Sequence, residues 1–96
     1  MADIARHWID GGWLESERIA DSYNPATGEL LGRFADGGET EARASVSAAR
    51  RAFAGTEWGR DRALRSRALL ELAERFQARA PELALMLTRE NGKILA

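Results

Sequence analysis

Two regimes of hydrophobic spacing divide the chain near residue 38. Before that point the apolar residues come in short runs broken by turn residues. His7-Trp8-Ile9 and Trp13-Leu14 flank Asp10-Gly11-Gly12, and Ile19 to Tyr23 and Glu29 to Phe34 flank Asn24-Pro25-Ala26-Thr27-Gly28. Asp-Gly and Gly-Gly tolerate the positive φ that tight hairpin turns require. In the longer connection Asn24 can close an Asx turn, Pro25 fixes its own φ, and Gly28 supplies a left-handed position. The pattern predicts two β-hairpins within residues 1–36, with Trp8 and Trp13 packed across the first.

From Thr40 the period becomes helical. Ala42, Val46, Ala49 and Phe53 fall at i, i+4, i+7 and i+11, one stripe of a helix that Thr40 can cap and that Gly55 and Gly59 end around Trp58. A second helix is predicted from about Asp61 to Ala80. At 100° per residue, Leu64, Ala68, Leu72, Phe76, Leu69, Ala80 and Ala73 fill one half of its circumference, which is read as a core face. Pro81 suits the first turn of a third helix, apolar at Leu83, Leu85, Met86 and Leu87 and stopped by Asn91-Gly92. The expectation is a single α+β segment over 1–96: N-terminal β-hairpins within 1–36, then three α-helices within 40–96.

Composition sharpens this picture at one point. Of the hydrophobic residues, 45% of the 96, 18 are Ala, so the core is thin. The absence of Cys leaves no disulfide to compensate, no thiolate metal site and no Cys nucleophile, and a single His excludes a His-rich zinc cluster. Either the helices pack very efficiently or their apolar faces are covered by something else. The third helix, apolar on most sides, has too little other structure in 96 residues to bury it. No apolar run reaches membrane-spanning length and Met1 to Asp10 lacks the apolar run of a signal peptide, so a cytoplasmic protein without a membrane partner is expected.

Charge is uneven: residues 1–41 carry nine acids and three bases, residues 42–96 six acids and eleven bases. The two halves should attract each other. Arg60, Arg62, Arg65 and Arg67 invite a phosphate-binding reading, but on the helical wheel they form no single stripe, and no nucleic-acid partner is expected. Arg65 points into the apolar arc of the second helix. It is therefore expected to be more buried than Arg67 and to meet a Glu or Asp of the strand half, with Arg65→Ala costing about 3 kcal/mol. His7 has no Ser, Cys or Asp at a suggestive spacing and reads as a surface residue. Gly11-Gly12, Gly37-Gly38 and Asn91-Gly92-Lys93 lack the Walker and dinucleotide-binding patterns. No catalytic and no cofactor-binding residue emerges from the 96 positions themselves.

Five motifs, in order, resemble the N-terminal portion of the NAD(P)-dependent aldehyde dehydrogenase superfamily. They are Ile9-Asp10-Gly11-Gly12-Trp13, Asn24-Pro25-Ala26-Thr27-Gly28-Glu29, Ala48 to Phe53 followed by Trp58, Arg65 to Leu70 with Leu72-Ala73-Glu74, and Glu90-Asn91-Gly92-Lys93. Ile94 departs from the pattern, where Pro often follows the Gly-Lys. The resemblance implies oxidation of an aldehyde to a carboxylate with NAD or NADP, by a Cys nucleophile and a water-activating Glu that lie far downstream in the family. It implies helices that flank a nucleotide-binding domain in an α/β fold, and hence a fragment that is not catalytic alone and binds no cofactor alone. Its partner would be the remainder of the aldehyde dehydrogenase chain. The alternative is a stand-alone, non-catalytic module that kept the fold and self-associates through Leu83, Met86 and Leu87. The resemblance also implies a structural monovalent cation, held by backbone carbonyls at Ser22 and Tyr23 and by the carboxylate of Glu90.

Overall fold

The computed structural model describes residues 4–95. Met1–Asp3 and Ala96, included in the expected hairpin and helical spans, lie outside the described residues. The first hairpin pairs β1 (His7–Ile9) with β2 (Gly12–Leu14) in the register His7↔Leu14, Trp8↔Trp13, Ile9↔Gly12. Asp10 and Gly11 form its two-residue turn at φ 55° and 73°, the paired positive φ values of a type I′ turn. Trp8 and Trp13 meet edge to face, centroids 4.9 Å apart and planes at 70°.

The second hairpin pairs β3 (Arg18–Tyr23) with β4 (Leu30–Asp36), antiparallel, with a register shift between Ser22 and Tyr23. Asn24 builds the connection as expected. Its Oδ1 accepts the Ala26 N–H at 2.9 Å, and its carbonyl accepts the Gly28 N–H at 2.7 Å. A contact the hydrophobic pattern gave no hint of lies on the far side of β4. Ala5 runs parallel to it, donating to the Arg33 carbonyl at 3.0 Å and accepting from the Ala35 N–H at 2.8 Å.

Helix α1 spans Glu39–Gly55. Its N-cap is Gly38, not Thr40, because Glu41 at the third helical position reaches back and accepts the Gly38 N–H at 3.0 Å. A 3₁₀ turn over Glu57–Gly59 follows, then α2 (Arg62–Ala78), capped by Asp61 through the Leu64 N–H at 3.0 Å. The chain breaks at Arg79 rather than after Ala80, and α3 (Ala80–Asn91) carries Pro81 in its first turn, where a missing N–H costs nothing. Gly92 ends α3 at φ 72°, its N–H bonded to the Thr88 carbonyl at 2.9 Å.

These elements are held apart rather than gathered around a core. The radius of gyration is 16.8 Å, against roughly 13 Å for a compact 100-residue domain. The accessible surface is 8095 Å², where a compact monomer of this mass exposes about 5,500 Å². Ala35, 7% exposed, is the enclosed residue among the described hydrophobic ones. The stripe Ala42-Val46-Ala49-Phe53 is exposed. Ala44 and Ala48, nearly opposite on the wheel, are the half-buried alanines of α1. On α2 the expected core face is likewise open. Leu64 and Ala68 are half-buried, whereas Leu69, Leu72 and Phe76 are 59%, 50% and 55% exposed. Among the described residues nothing covers either face, and on α1 the side turned towards the rest of the chain is the one opposite the expected stripe. Helix α3 is less bare than expected, since it lies against β3 and half-buries Leu83 and Ala84. No helix among the described residues is long and apolar enough to cross a membrane.

Candidate functional site

A groove of ≈ 530 Å³ lies between the β3–β4 hairpin and α3. Its sheet wall includes Ser22, Gly32 and Phe34, and its helix wall Leu85, Met86, Arg89 and Glu90. Ser22 sits opposite Gly32 and Ala20 opposite Phe34, so these four share one face of the hairpin. Three of the four are small, which lets a helix lie close to the strands. A Cβ built on Gly32 would meet nothing within 4 Å, so the groove is open above it.

Two of the motifs that carried the family resemblance meet at Pro25 and Gly92. A Cβ on Gly92 would stand 3.4 Å from Pro25 Cγ, so the Asn-Pro turn rests on the C-terminal cap of α3. Ser22 and Glu90 therefore line one groove, although 68 positions separate them in the chain. Tyr23 is not on its wall; its hydroxyl donates to Asp21 Oδ2 at 3.2 Å. Among the charged residues at the groove, Arg33 is held by Asp21 at 3.1 Å and Glu82 by Arg79 through bonds of 3.0 and 2.7 Å. Those bonds hold the Glu82 carboxyl below its usual range and push the Arg79 guanidinium up. Arg89 and Glu90 enter no ion pair among the described residues.

A second polar cluster joins the first hairpin to α1. His7 is half-buried rather than on the surface, and its Nε2 shares a short hydrogen bond with Ser16 Oγ. Glu41 lies beyond Ser16, and its carboxyl is held below the usual range first by the Gly38 N–H, then by its own N–H, with the Ser16 hydroxyl and His7 adding to these. The order is acid, hydroxyl, imidazole. In a nucleophilic triad the acid orients the imidazole and the imidazole activates the hydroxyl, so this sequence of groups cannot do that work. It is a clasp that fixes the β2–β3 link on the start of α1. Gly37 passes so close that a Cβ there would stand 3.2 Å from His7 Cε1. The His–Ser spacing of nine residues reaches across a hairpin, and no spacing rule for helices or strands would have singled it out.

Arg65 is half-buried and Arg67 exposed, as the wheel suggested, but the expected carboxylate is not the partner. Arg65 Nη1 donates to the Trp58 carbonyl at 2.6 Å. The attraction between acidic and basic halves is expressed beyond neighbouring turns by Arg51 and Asp10 at 2.9 Å, a pair more than half exposed on both sides and worth little.

Among the described residues no three His, Asp or Glu side chains converge as a metal ion would need. β4 leads through Gly37-Gly38 into the N-terminus of α1, but the strand it pairs with is the antiparallel β3 rather than a parallel strand of a dinucleotide-binding unit.

The sequence pattern of the Aldehyde dehydrogenase family matches residues 13–96. The chain belongs to the aldehyde dehydrogenase family. It is 37% identical over 94 residues to human 2-aminomuconic semialdehyde dehydrogenase and 42% identical over 91 residues to aminoacetaldehyde dehydrogenase of Pseudomonas aeruginosa. Those alignments cover 97% and 92% of this chain but 19% and 18% of the relatives. The crystal structure of an NAD-dependent aldehyde dehydrogenase from Sinorhizobium meliloti superposes with a TM-score of 0.89 at 30% identity, over 99% of this chain and 20% of that one. This aldehyde dehydrogenase chain thus spans about a fifth of the length of the relatives it matches, and it holds the fold of its hairpins and helices in common with the Sinorhizobium meliloti enzyme.

Proposed function

We propose that these residues serve as the N-terminal scaffold of an NAD(P)-dependent aldehyde dehydrogenase that oxidises an aldehyde to a carboxylate, and contribute no catalytic group to it. The observation that carries this reading is the superposition at TM-score 0.89 onto one fifth of a much longer dehydrogenase. Helical faces left bare here are then faces for the rest of such an enzyme to cover, which is the partner this reading names. NAD or NADP, when bound to such an enzyme, supplies the hydride acceptor. The residues of this chain position α3 and the β3–β4 hairpin through the Pro25–Gly92 joint and leave the nucleophile, water-activating acid and dinucleotide cradle to other residues.

In the same reading a structural monovalent cation sits where the groove meets the Asn-Pro turn. Glu90 supplies the carboxylate and Ser22 and Tyr23 their backbone carbonyls, a donor set of hard oxygens suited to such an ion. Two measurements test the proposal. Purified 1–96 should form no NAD(P)H with any aldehyde, while an aldehyde dehydrogenase polypeptide lacking the matching residues should regain turnover when this chain is added. Turnover by 1–96 alone that survives repurification would refute the scaffold reading. For the cation, sodium or potassium should raise the melting temperature relative to choline at equal ionic strength, and Glu90→Gln should abolish the difference.

A further inference from the structure

We propose that Asn91-Gly92 is a self-modifying site, at which Asn91 loses its side-chain amide to solvent water and α3 thereby loses its hold on the Asn-Pro turn. The reaction needs an asparagine followed by a residue whose backbone nitrogen can reach the side chain. The Gly92 nitrogen forms a bond to Asn91 Cγ and the Cγ–Nδ2 bond breaks. The proton of the attacking nitrogen passes through solvent to the departing group, which leaves as ammonia. Water then opens the resulting imide ring at either of its carbonyls. Opening at Cγ gives an aspartate, and opening at the main-chain carbonyl gives an isoaspartate, whose backbone runs through the former side chain. The chain holds two asparagines. Asn24 precedes Pro25, whose nitrogen carries no proton to give up, and its Oδ1 already accepts the Ala26 N–H at 2.9 Å. Asn91 precedes a glycine, which sets no Cβ beside the attacking nitrogen.

The fold keeps this reaction latent. Asn91 is the last residue of α3, and Gly92, at φ 72°, gives its N–H to the Thr88 carbonyl at 2.9 Å. The attacking nitrogen is thus engaged, and attack on Cγ requires the Asn91 ψ to leave its helical value, so the cap has to open first. A Cβ on Gly92 would stand 3.4 Å from Pro25 Cγ, so opening also unseats the Asn-Pro turn. Both restraints are internal to these 96 residues. Once the reaction has run, the cap cannot close as before. Isoaspartate adds a methylene to the main chain, about 1.5 Å of path, which carries the Gly92 N–H away from the Thr88 carbonyl. Either product sets a new carboxylate beside Glu90 at the negative end of the α3 dipole, a cost that Arg89 in the same turn offsets only in part. Opening followed by reaction therefore undoes the joint in one direction only.

Mass spectrometry of the chain during incubation in mildly alkaline buffer tests this. Exchange of an amide for an acid raises the mass, and the tryptic peptide Glu90–Lys93 locates the change and separates aspartate from isoaspartate. Asp10-Gly11 and Asp36-Gly37 can form the same ring, but water returns them to their starting mass. The gain should fall on Asn91 and not on Asn24. It should be at least about fivefold slower in native buffer than in urea, the factor expected from one cap hydrogen bond. Pro25→Ala should speed the gain in Glu90–Lys93 by about threefold or more in native buffer and leave the rate in urea unchanged. The modified chain should lose amide-exchange protection in the last turn of α3, and Asn91→Gln should keep both its mass and that protection. If Pro25→Ala unfolds the chain, the ratio of native to urea rates in the unmodified chain decides. Equal rates in native buffer and urea, no gain at Asn91 in either, an unaltered rate in folded Pro25→Ala, or unchanged protection of α3 after modification would each overturn the proposal.

Discussion

Gly59→Ala and Gly55→Ala, four residues apart and chemically identical, should move stability in opposite directions. Gly59 closes the 3₁₀ turn between α1 and α2, and a Cβ there would stand 2.3 Å from the Phe53 carbonyl oxygen. That oxygen belongs to backbone, so no side-chain rotation can relieve the overlap. The turn has to open, and with it go the Trp58 carbonyl that Arg65 reaches and the entry angle of α2. Inserting a methyl into a site that cannot give costs about 1–3 kcal/mol, and loss of the Arg65 bond adds roughly 1 kcal/mol. Gly55 ends α1 with nothing within 4 Å of its Cβ and without a positive φ. Alanine there restricts the unfolded chain and should stabilise by about 0.5 kcal/mol. Urea unfolding followed by far-ultraviolet circular dichroism, on both variants at one protein concentration, separates the two. An unchanged midpoint for Gly59→Ala, or equal destabilisation by both, would refute the reading of this junction as a close backbone approach.

Arg65→Ala should destabilise by about 1 kcal/mol and Arg67→Ala by less than about 0.5 kcal/mol in the same assay, because only the former loses a bond to backbone. Gly92→Ala forces a Cβ into the left-handed region and should cost about 1–2 kcal/mol, detected as earlier fraying of α3 in amide hydrogen exchange. Glu41 has a carboxyl pKa below the ordinary 4.5. Its stabilising contribution is therefore present above pH 4.5 and lost as pH falls through the lower folded value. Acid titration of the helical signal should show that loss, and Glu41→Gln should remove it.

How much was legible in the sequence depended on how local the cause was. The Asp10-Gly11 turn and the Gly92 stop were readable because both rest on backbone conformations that one or two residues decide. The N-cap of α1 was misplaced by two residues. Gly38 offers no side chain, so Thr40 drew attention, and the decisive partner was Glu41 reaching backwards. Helical periodicity marked the apolar faces of α1 and α2 but carries no information about whether their cover lies in the same 96 residues. For Arg65 the wheel gave a direction and not an acceptor, and the nearest acceptor was a carbonyl seven residues earlier. The groove that unites Ser22 and Glu90 could not be inferred from spacing; family likeness alone pointed to both. Ala5 beside β4, and Ser16 beside His7, depend on how one hairpin is hung on another, which no window of neighbouring residues encodes.

The joint between Pro25 and Gly92 has a consequence in time. It closes a loop of roughly 70 residues, so its formation carries a larger entropic cost than either hairpin, whose ends meet locally. On a ribosome adding about 5–20 residues per second, the Asn-Pro turn emerges several seconds before the helix cap that seats on it. Through that interval the small-residue face of Ala20, Ser22 and Gly32 is bare, and the β3–β4 hairpin waits as a marginal two-stranded ribbon. Of the contacts described, the one that docks α3 closes one of the longest loops. A nascent chain stalled before residue 92 should expose that hairpin to chaperones or proteases in a way the finished segment does not.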